Sequence, residues 1–287
     1  MYDFPKLLSI PLGGWINLAV QWLTQNLAPV FHAITIAIRE PLVKIEHLLW
    51  WLPWWVVILL FASMAWKLAG RRIAVIAVVG MLFIGLMGLW DETMTTLAII
   101  VTAVAASVAV GIPVGILAAK SDRVEAAIRP FLDAMQTMPS FVYLIPAVFF
   151  FGLGKVPAVV ATFIYAVPPC IRLTNLGIRQ VAAEVVEAGK AFGCTSQQLL
   201  FKIQLPLARP NIMAGVNQTI MMALAMVVVA SMIGASGLGL EVLRGIERLD
   251  VGRGFIAGIS IVIVAILIDR VSQALGRAAE VGRHPSG

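Results

Sequence analysis

The sequence predicts an all-α, polytopic membrane protein, and three observations carry that prediction. Of its residues, 60% are hydrophobic and 13% charged, against about 25% charged in an ordinary soluble domain. Mean hydropathy is +0.95. Windows free of Asp, Glu, Lys and Arg recur at Leu48–Trp66, Ile73–Trp90, Thr93–Ala119, Ala134–Gly154, Val156–Ile171, Pro210–Leu240 and Gly254–Ile268. A helix of roughly 20 apolar residues crosses about 30 Å of hydrocarbon, and it pairs its own backbone polar groups on the way. The last window lengthens inward if Asp269 and Arg270 snorkel to the interface. The expectation is about seven spans.

From the amino terminus, residues 1–47 form a first region. Pro11–Ile38 is uncharged, yet Asn17, Gln21, Thr24, Gln25, His32, Thr35 and Arg39 draw a polar stripe down one helical face. That pattern predicts an amphipathic helix in the outer interface, bent or broken at Pro29. Its length also permits an extra span or a packed helix. Residues 48–90 then supply two peripheral transmembrane helices. Trp50, Trp51, Trp54 and Trp55 crowd the outer end of the first, Trp66 its inner end, and Trp90 closes the second. An interfacial aromatic belt accounts for them; an aromatic cage for a quaternary ammonium ion is the alternative.

Residues 91–276 form the core transmembrane domain, followed by a short tail, 277–287. In its first span Gly111 and Gly115 of GIPVG make a small-xxx-small face for close helix packing, with a local kink at Pro113. Pro139, Pro146, Pro157, Pro168 and Pro169 punctuate the next two spans. Irregular backbone at membrane depth belongs inside protein or beside a water-filled cavity. These helices are therefore candidates to line a pathway, and Phe141, Tyr143 and Met222 are named as pathway residues on location alone. Asn217, Gln218 and Thr219 form the densest polar group within a span, which helix–helix hydrogen bonding explains most simply. Gly234, Gly237 and Gly239 end that span in a turn or a mobile outer gate.

The net charge of +6 is distributed by side, which argues against a nucleic-acid partner. Lys67, Arg71 and Arg72, then Lys120, Arg123 and Arg129, then Arg172 and Arg179, and finally Arg270 and Arg277 mark alternate span ends as cytoplasmic. The other connections carry Asp91 and Glu92, the lone Lys155, and the mixed set Glu241, Arg244, Glu247, Arg248, Asp250 and Arg253. This places the amino terminus outside and the carboxyl terminus inside. Cys170 and Cys194 then face the reducing side, so no disulfide is expected. His32, His47 and His284 lack ligand-spaced neighbours, so no metal site is expected. The first apolar stretch lacks the basic region and cleavage site of a signal peptide.

The longest cytoplasmic connection, 176–206, is a polar island. Leu176–Phe192 reads as one amphipathic helix, and Gly193 permits a turn. Thr195 or Ser196 is placed to cap a second short helix with Leu199, Leu200 and Ile203 on its apolar side, and Pro206 to stop it before the next span. Glu187, Ala188, Gly189, Gly193, Ile203, Leu205 and Pro206 reproduce the pattern E-A-A-x3-G-x9-I-x-L-P, with Gly189 in place of the second Ala. That pattern resembles the signature of the membrane subunits of binding-protein-dependent ABC importers. A plain surface helical pair is the bland alternative. The strings LDAMQTMPSFVYLIPAVFFFGLGKVP, YAVPPCIRLTNLGIRQV, FKIQLPLARPNIMAGVNQTIMMALAMVVVASMIG and VLRGIERLD resemble the glycine betaine/proline betaine permease branch, over Thr93–Gly276.

The resemblance implies a type I ABC importer permease fold in a bacterial inner membrane, and an osmoprotectant such as glycine betaine as cargo. It also implies a cytoplasmic ABC ATPase docked on the 176–206 segment and an extracytoplasmic substrate-binding protein. Two nucleotide sites need two coupling segments, and one per chain implies a permease homodimer. The chain holds no G-x-x-x-x-G-K-[ST] loop, so ATP and Mg are expected on the partner ATPase and no catalysis or cofactor on this chain. Within the importer reading, choline, an amino acid or a sulfonate are the alternative solutes. A secondary transporter would need ionisable or cation-coordinating groups at mid-membrane, and the span centres lack Asp, Glu, Lys, Arg and His. A channel would need no docking segment. A membrane enzyme would need converging acid, base or nucleophilic groups.

Overall fold

The computed structural model describes residues 12–281, and the side chains of 12–274. Among the described residues every regular element is helical. Helix α1 (Leu12–Asn26) and helix α2 (Ala28–Trp51) part at Leu27 rather than at Pro29. Pro29 instead occupies the first turn of α2, where its missing N–H breaks no bond. The side chains of α1 are not buried. Helix α2 then turns through 105° into α3 (Trp54–Ala69), because Pro53 holds the preceding Leu52 extended, at ψ 129°. Helix α3 pairs with α4 (Arg71–Leu86) across Gly70, whose φ of +93° suits glycine.

Among the described residues, four helices are long and apolar enough to cross a membrane: α5 (Trp90–Lys120), α8 (Lys155–Arg179), the continuous Ser196–Ile233 and the described part of α13 (Val251–Val281), up to Ala274. Counting each of two bent pairs as one span gives up to six. The expected seven is therefore not reached by straight helices. Leu48–Trp66 is broken at Leu52–Pro53, and α4, of 16 residues, reaches only about 24 Å. Ala134–Gly154 is broken as well: α6 (Asp122–Thr137) meets α7 (Ser140–Phe151) at 104°. Pro139 forces Met138 extended, at ψ 140°.

The core is a tight cluster of α5, α8 and α11 (Leu205–Ala230). A Cβ on Gly111 would stand 2.8 Å from Cys170 Cβ, and one on Gly115 2.6 Å from Thr174 Cβ and 2.8 Å from the Ile171 carbonyl oxygen. Helix α5 runs unbroken through Pro113. The small face therefore does what its spacing predicts and lets α5 and α8 approach backbone to backbone.

Two sets of ends segregate. At one end the Gly154 N–H donates to the Ile233 carbonyl at 3.3 Å, and the Leu238 N–H to Thr96 Oγ1 at 2.9 Å. Lys155 there meets Glu46 of α2 at 2.5 Å. Helix α12 (Leu238–Glu247) is fixed to α13 at the same end, where buried Glu241 accepts from Arg244 and Arg253, both at 2.5 Å. At the other end α6 is pinned along α8 by Arg172–Asp133 (2.5 Å), Arg179–Asp122 (2.7 Å) and Arg179–Glu125 (3.1 Å). The fold thus gathers the ends that the charge pattern assigns to one side, and they are called outer and inner below.

Candidate functional site

The inner end carries the 176–206 segment, in a form that differs from the expected single helix. Helix α8 continues to Arg179, Gln180 accepts from Asn211 Nδ2 at 3.1 Å, and Ala182 is extended (φ −51°, ψ 131°). A separate α9 (Ala183–Ala191) then begins, with Glu184 in its first turn, where the positive end of the helix dipole favours a carboxylate. Leu176–Arg179 therefore belongs to the membrane helix.

Gly193 closes α9. Its φ is +78°, its N–H donates to the Lys190 carbonyl at 2.9 Å, and the Cys194 N–H reaches back to the Gly189 carbonyl at 3.1 Å. This pair of bonds with a left-handed residue is a Schellman turn. Thr195 then caps α10 (Ser196–Gln198) through a reciprocal box. Thr195 Oγ1 accepts from the Gln198 N–H at 3.3 Å, and Gln198 Oε1 from the Thr195 N–H at 2.9 Å. Pro206 is not a stop. A π-helical stretch, Leu199–Gln204, leads without interruption into α11. The Leu205 N–H there bonds to the Leu200 carbonyl five residues back, and Pro206 follows directly, at the junction where π-helical bonding gives way to α-helical.

The segment folds back on itself at its signature positions. Gly189 is buried, and a Cβ there would stand 2.8 Å from Ile203 Cδ1 and 2.9 Å from Leu199 Cδ1. The missing methyl thus makes room for the return helix. Leu200 is buried with Ile178 of α8 and Ala208 of α11, which ties the segment rigidly to two core helices. Glu187, Ala188 and Gly193 lie exposed on its outer surface, while Ile203, Leu205 and Pro206 are half-buried. Phe192 is 90% exposed beside Gly193, and Phe201 is exposed as well. Sequence reading passed over both, although an aromatic pair flanking the turn of a polar island is a visible signal.

The named pathway residues differ in exposure. Phe141 is exposed on α7, whereas Tyr143, two positions on, is buried, with its hydroxyl donating to the Met135 carbonyl of α6. Tyr143 thereby braces the α6–α7 corner. Met222 is half-buried on α11. Of the polar trio, Asn217 Oδ1 accepts from Ser272 Oγ of α13 at 2.6 Å and Thr219 is buried, but Gln218 is exposed.

Residues 111–281 match the family described as binding-protein-dependent transport system inner membrane component. The chain belongs to that family. It is 49% identical over 274 residues to the glycine betaine/proline betaine transport system permease protein ProW of Escherichia coli K12, covering 96% of this chain and 77% of that one. It is 47% identical to the glycine betaine transport system permease protein OpuAB of Bacillus subtilis 168, covering 93% and 95%. The corresponding figure for the glycine betaine/carnitine transport permease protein GbuB of Listeria monocytogenes is 46%, covering 96% and 99%. These relatives extend the likeness to the amino-terminal helices that the family match leaves out. In fold, the chain resembles an inward-facing conformation of the MetNI methionine ABC transporter, with a TM-score of 0.59 at 21% identity, covering 69% of this chain and 97% of that one. The type I ABC importer permease fold implied by the motif is the fold found, and this family member is an inner-membrane protein.

Proposed function

We propose that this permease imports glycine betaine or proline betaine, driven by a cytoplasmic ABC ATPase and fed by an extracytoplasmic substrate-binding protein. The observation that carries the substrate is the near full-length identity of 46–49% to permeases named for glycine betaine. The inner segment supports the coupling. Glu187, Ala188, Gly193 and the exposed Phe192 form a docking surface, Gly189, Leu199 and Ile203 close the segment on itself, and Leu200 clamps it to α8 and α11. Closure of an ATPase pair on ATP displaces that surface, and the clamp moves both core helices with it. Alternating inward and outward openings follow as rigid-body rocking. Each chain presents one such segment, so a homodimer serves two nucleotide sites, and ATP and Mg stay on the ATPase.

The test is uptake of radiolabelled glycine betaine into vesicles carrying the permease with its ATPase and binding protein, compared with Gly193→Trp. A residue with a side chain at φ +78° costs about 1–2 kcal/mol, and the indole projects into the docking surface. Uptake that requires ATP and collapses in the inserted variant is the expected result. ATP-stimulated turnover without betaine uptake moves the substrate to choline, an amino acid or a sulfonate; uptake indifferent to ATP overturns the proposal.

A further inference from the structure

We propose that Gln218 is a polar contact of the translocation pathway, on a bare face of α11 formed with Ala214, Met221 and Ala225, and that its amide donates to the carboxylate of the cargo. The carboxylate rests on the betaine reading above. The lining role stands on geometry alone.

Gln218 lies eight residues beyond Pro210 and fifteen before Ile233 on one continuous helix, about 12 Å and 22 Å along its axis. It is therefore inside the hydrocarbon layer. Its two neighbours point elsewhere: Asn217 is bonded to α13, and Thr219 is packed in the core with its hydroxyl unpaired among the described residues. The Gln218 amide is exposed and makes no hydrogen bond within the described residues. The exposed positions 214, 218, 221 and 225 are spaced four, three and four apart, which is one helical face. The other sides of α11 are covered by α8, α13, α5 and α7.

Other exposed faces of the long helices look different. Val101 and Leu117 of α5, Ile145 of α7, and Val262 and Ile266 of α13 are exposed and apolar. Where a polar group is exposed on α3, at Ser63, its hydroxyl bonds back to the Leu60 carbonyl at 2.9 Å. A primary amide left unpaired in hydrocarbon is strongly unfavourable, so the face bearing Gln218 meets water, a polar ligand or a second copy of the chain, and the shallow alanine flanks favour the first two. Alanines on either side keep that face shallow, which leaves room for a small solute. An amide also suits a zwitterion, because it donates to a carboxylate without adding a charge that would trap or repel the cationic end.

The test uses the complete transporter in vesicles, in a background where Cys170 and Cys194 are replaced by Ser. In that background Gln218→Cys should react with a membrane-impermeant thiol reagent, and Val262→Cys should not. Gln218→Leu should lower the maximal rate of glycine betaine uptake about tenfold at equal insertion, the scale of one lost hydrogen bond to a charged group. Gln218→Asn, which keeps the amide, should recover part of it. Failure of Gln218→Cys to react, a disulfide between copies without aqueous labelling, or uptake by Gln218→Leu within twofold of wild type overturns the proposal. If the unaltered transporter carries no betaine, the betaine reading falls, and the thiol reaction alone decides whether Gln218 lines the route.

Discussion

Glu46→Ala strips a carboxylate from a buried site that joins α2 to the outer ends of α5 and α8. Glu46 has a side chain only 7% exposed, paired with Lys155 at 2.5 Å, and it also accepts from Thr95 Oγ1 at 2.7 Å. Removing one partner of a buried pair costs about 3–5 kcal/mol. Lys155 is 29% exposed and lies over the Trp50 ring at 5.7 Å, so its charge regains some water and keeps a cation–π partner. Thr95 can turn back to its own helix. The lower end of the range applies, about 3 kcal/mol, or a fall of about 6 °C in thermal midpoint at roughly 2 °C per kcal/mol for a chain of this size. The assay is thermal unfolding in lipid nanodiscs of Glu46→Ala, Lys155→Ala and the double variant. The double variant should be more stable than the sum of the singles by about 2 kcal/mol, since no unpaired charge is left. Additive single effects, or a shift below about 1 °C for Glu46→Ala, would refute the latch.

Gly115→Val drives a side chain into the Ile171 carbonyl oxygen and Thr174, 2.6–2.8 Å from where its Cβ must lie. It should cost about 3 kcal/mol or more, measured as loss of monodisperse protein on extraction. Glu241→Gln leaves Arg244 and Arg253 without their shared carboxylate and should lower stability by about 2 kcal/mol in the same thermal assay. Glu187→Lys strikes an exposed position of α9. It should leave thermal stability within about 0.5 kcal/mol while abolishing ATP-driven uptake, and a failure to insert would make the segment structural.

The features legible in the sequence were those decided locally. Thr195 and Gln198 cap one helix from three residues apart, Gly193 needs only its own φ, and the α5 glycines announce their close packing by a spacing of four. Prolines were ambiguous because their effect depends on neighbours. Pro53 and Pro139 break their helices, whereas Pro113, Pro168, Pro169 and Pro210 lie inside continuous ones. A membrane helix tolerates a lost hydrogen bond when packing and adjacent turns compensate, and no single window reveals that. Glu46 and Lys155 are 109 residues apart, and no pattern along the chain pairs them. For Gln218 the helical phase was visible, but the faces of α11 that other helices cover were not.

The continuous helix Ser196–Ile233 gives the proposed coupling a physical route. Its 38 residues span about 57 Å, so the capped turn at Thr195 and the outer end at Ile233 belong to one continuous element. The π-helical stretch lies where that element meets α9, and such stretches recur at functional sites. At its outer end the Ile233 carbonyl holds the Gly154 N–H of the α7–α8 turn. Gly234 and Gly237 follow with φ of +82° and +118°, conformations that favour glycine. On the proposed coupling, a displacement applied at the inner segment would reach the outer turn through one helix and one hydrogen bond. Lys155, next to that bond, is held by Glu46 of α2, so α2 restrains the same turn that the proposed coupling would move. Weakening the latch should then raise uptake that bypasses the binding protein, a consequence distinct from its effect on stability and measurable in vesicles that lack the binding protein.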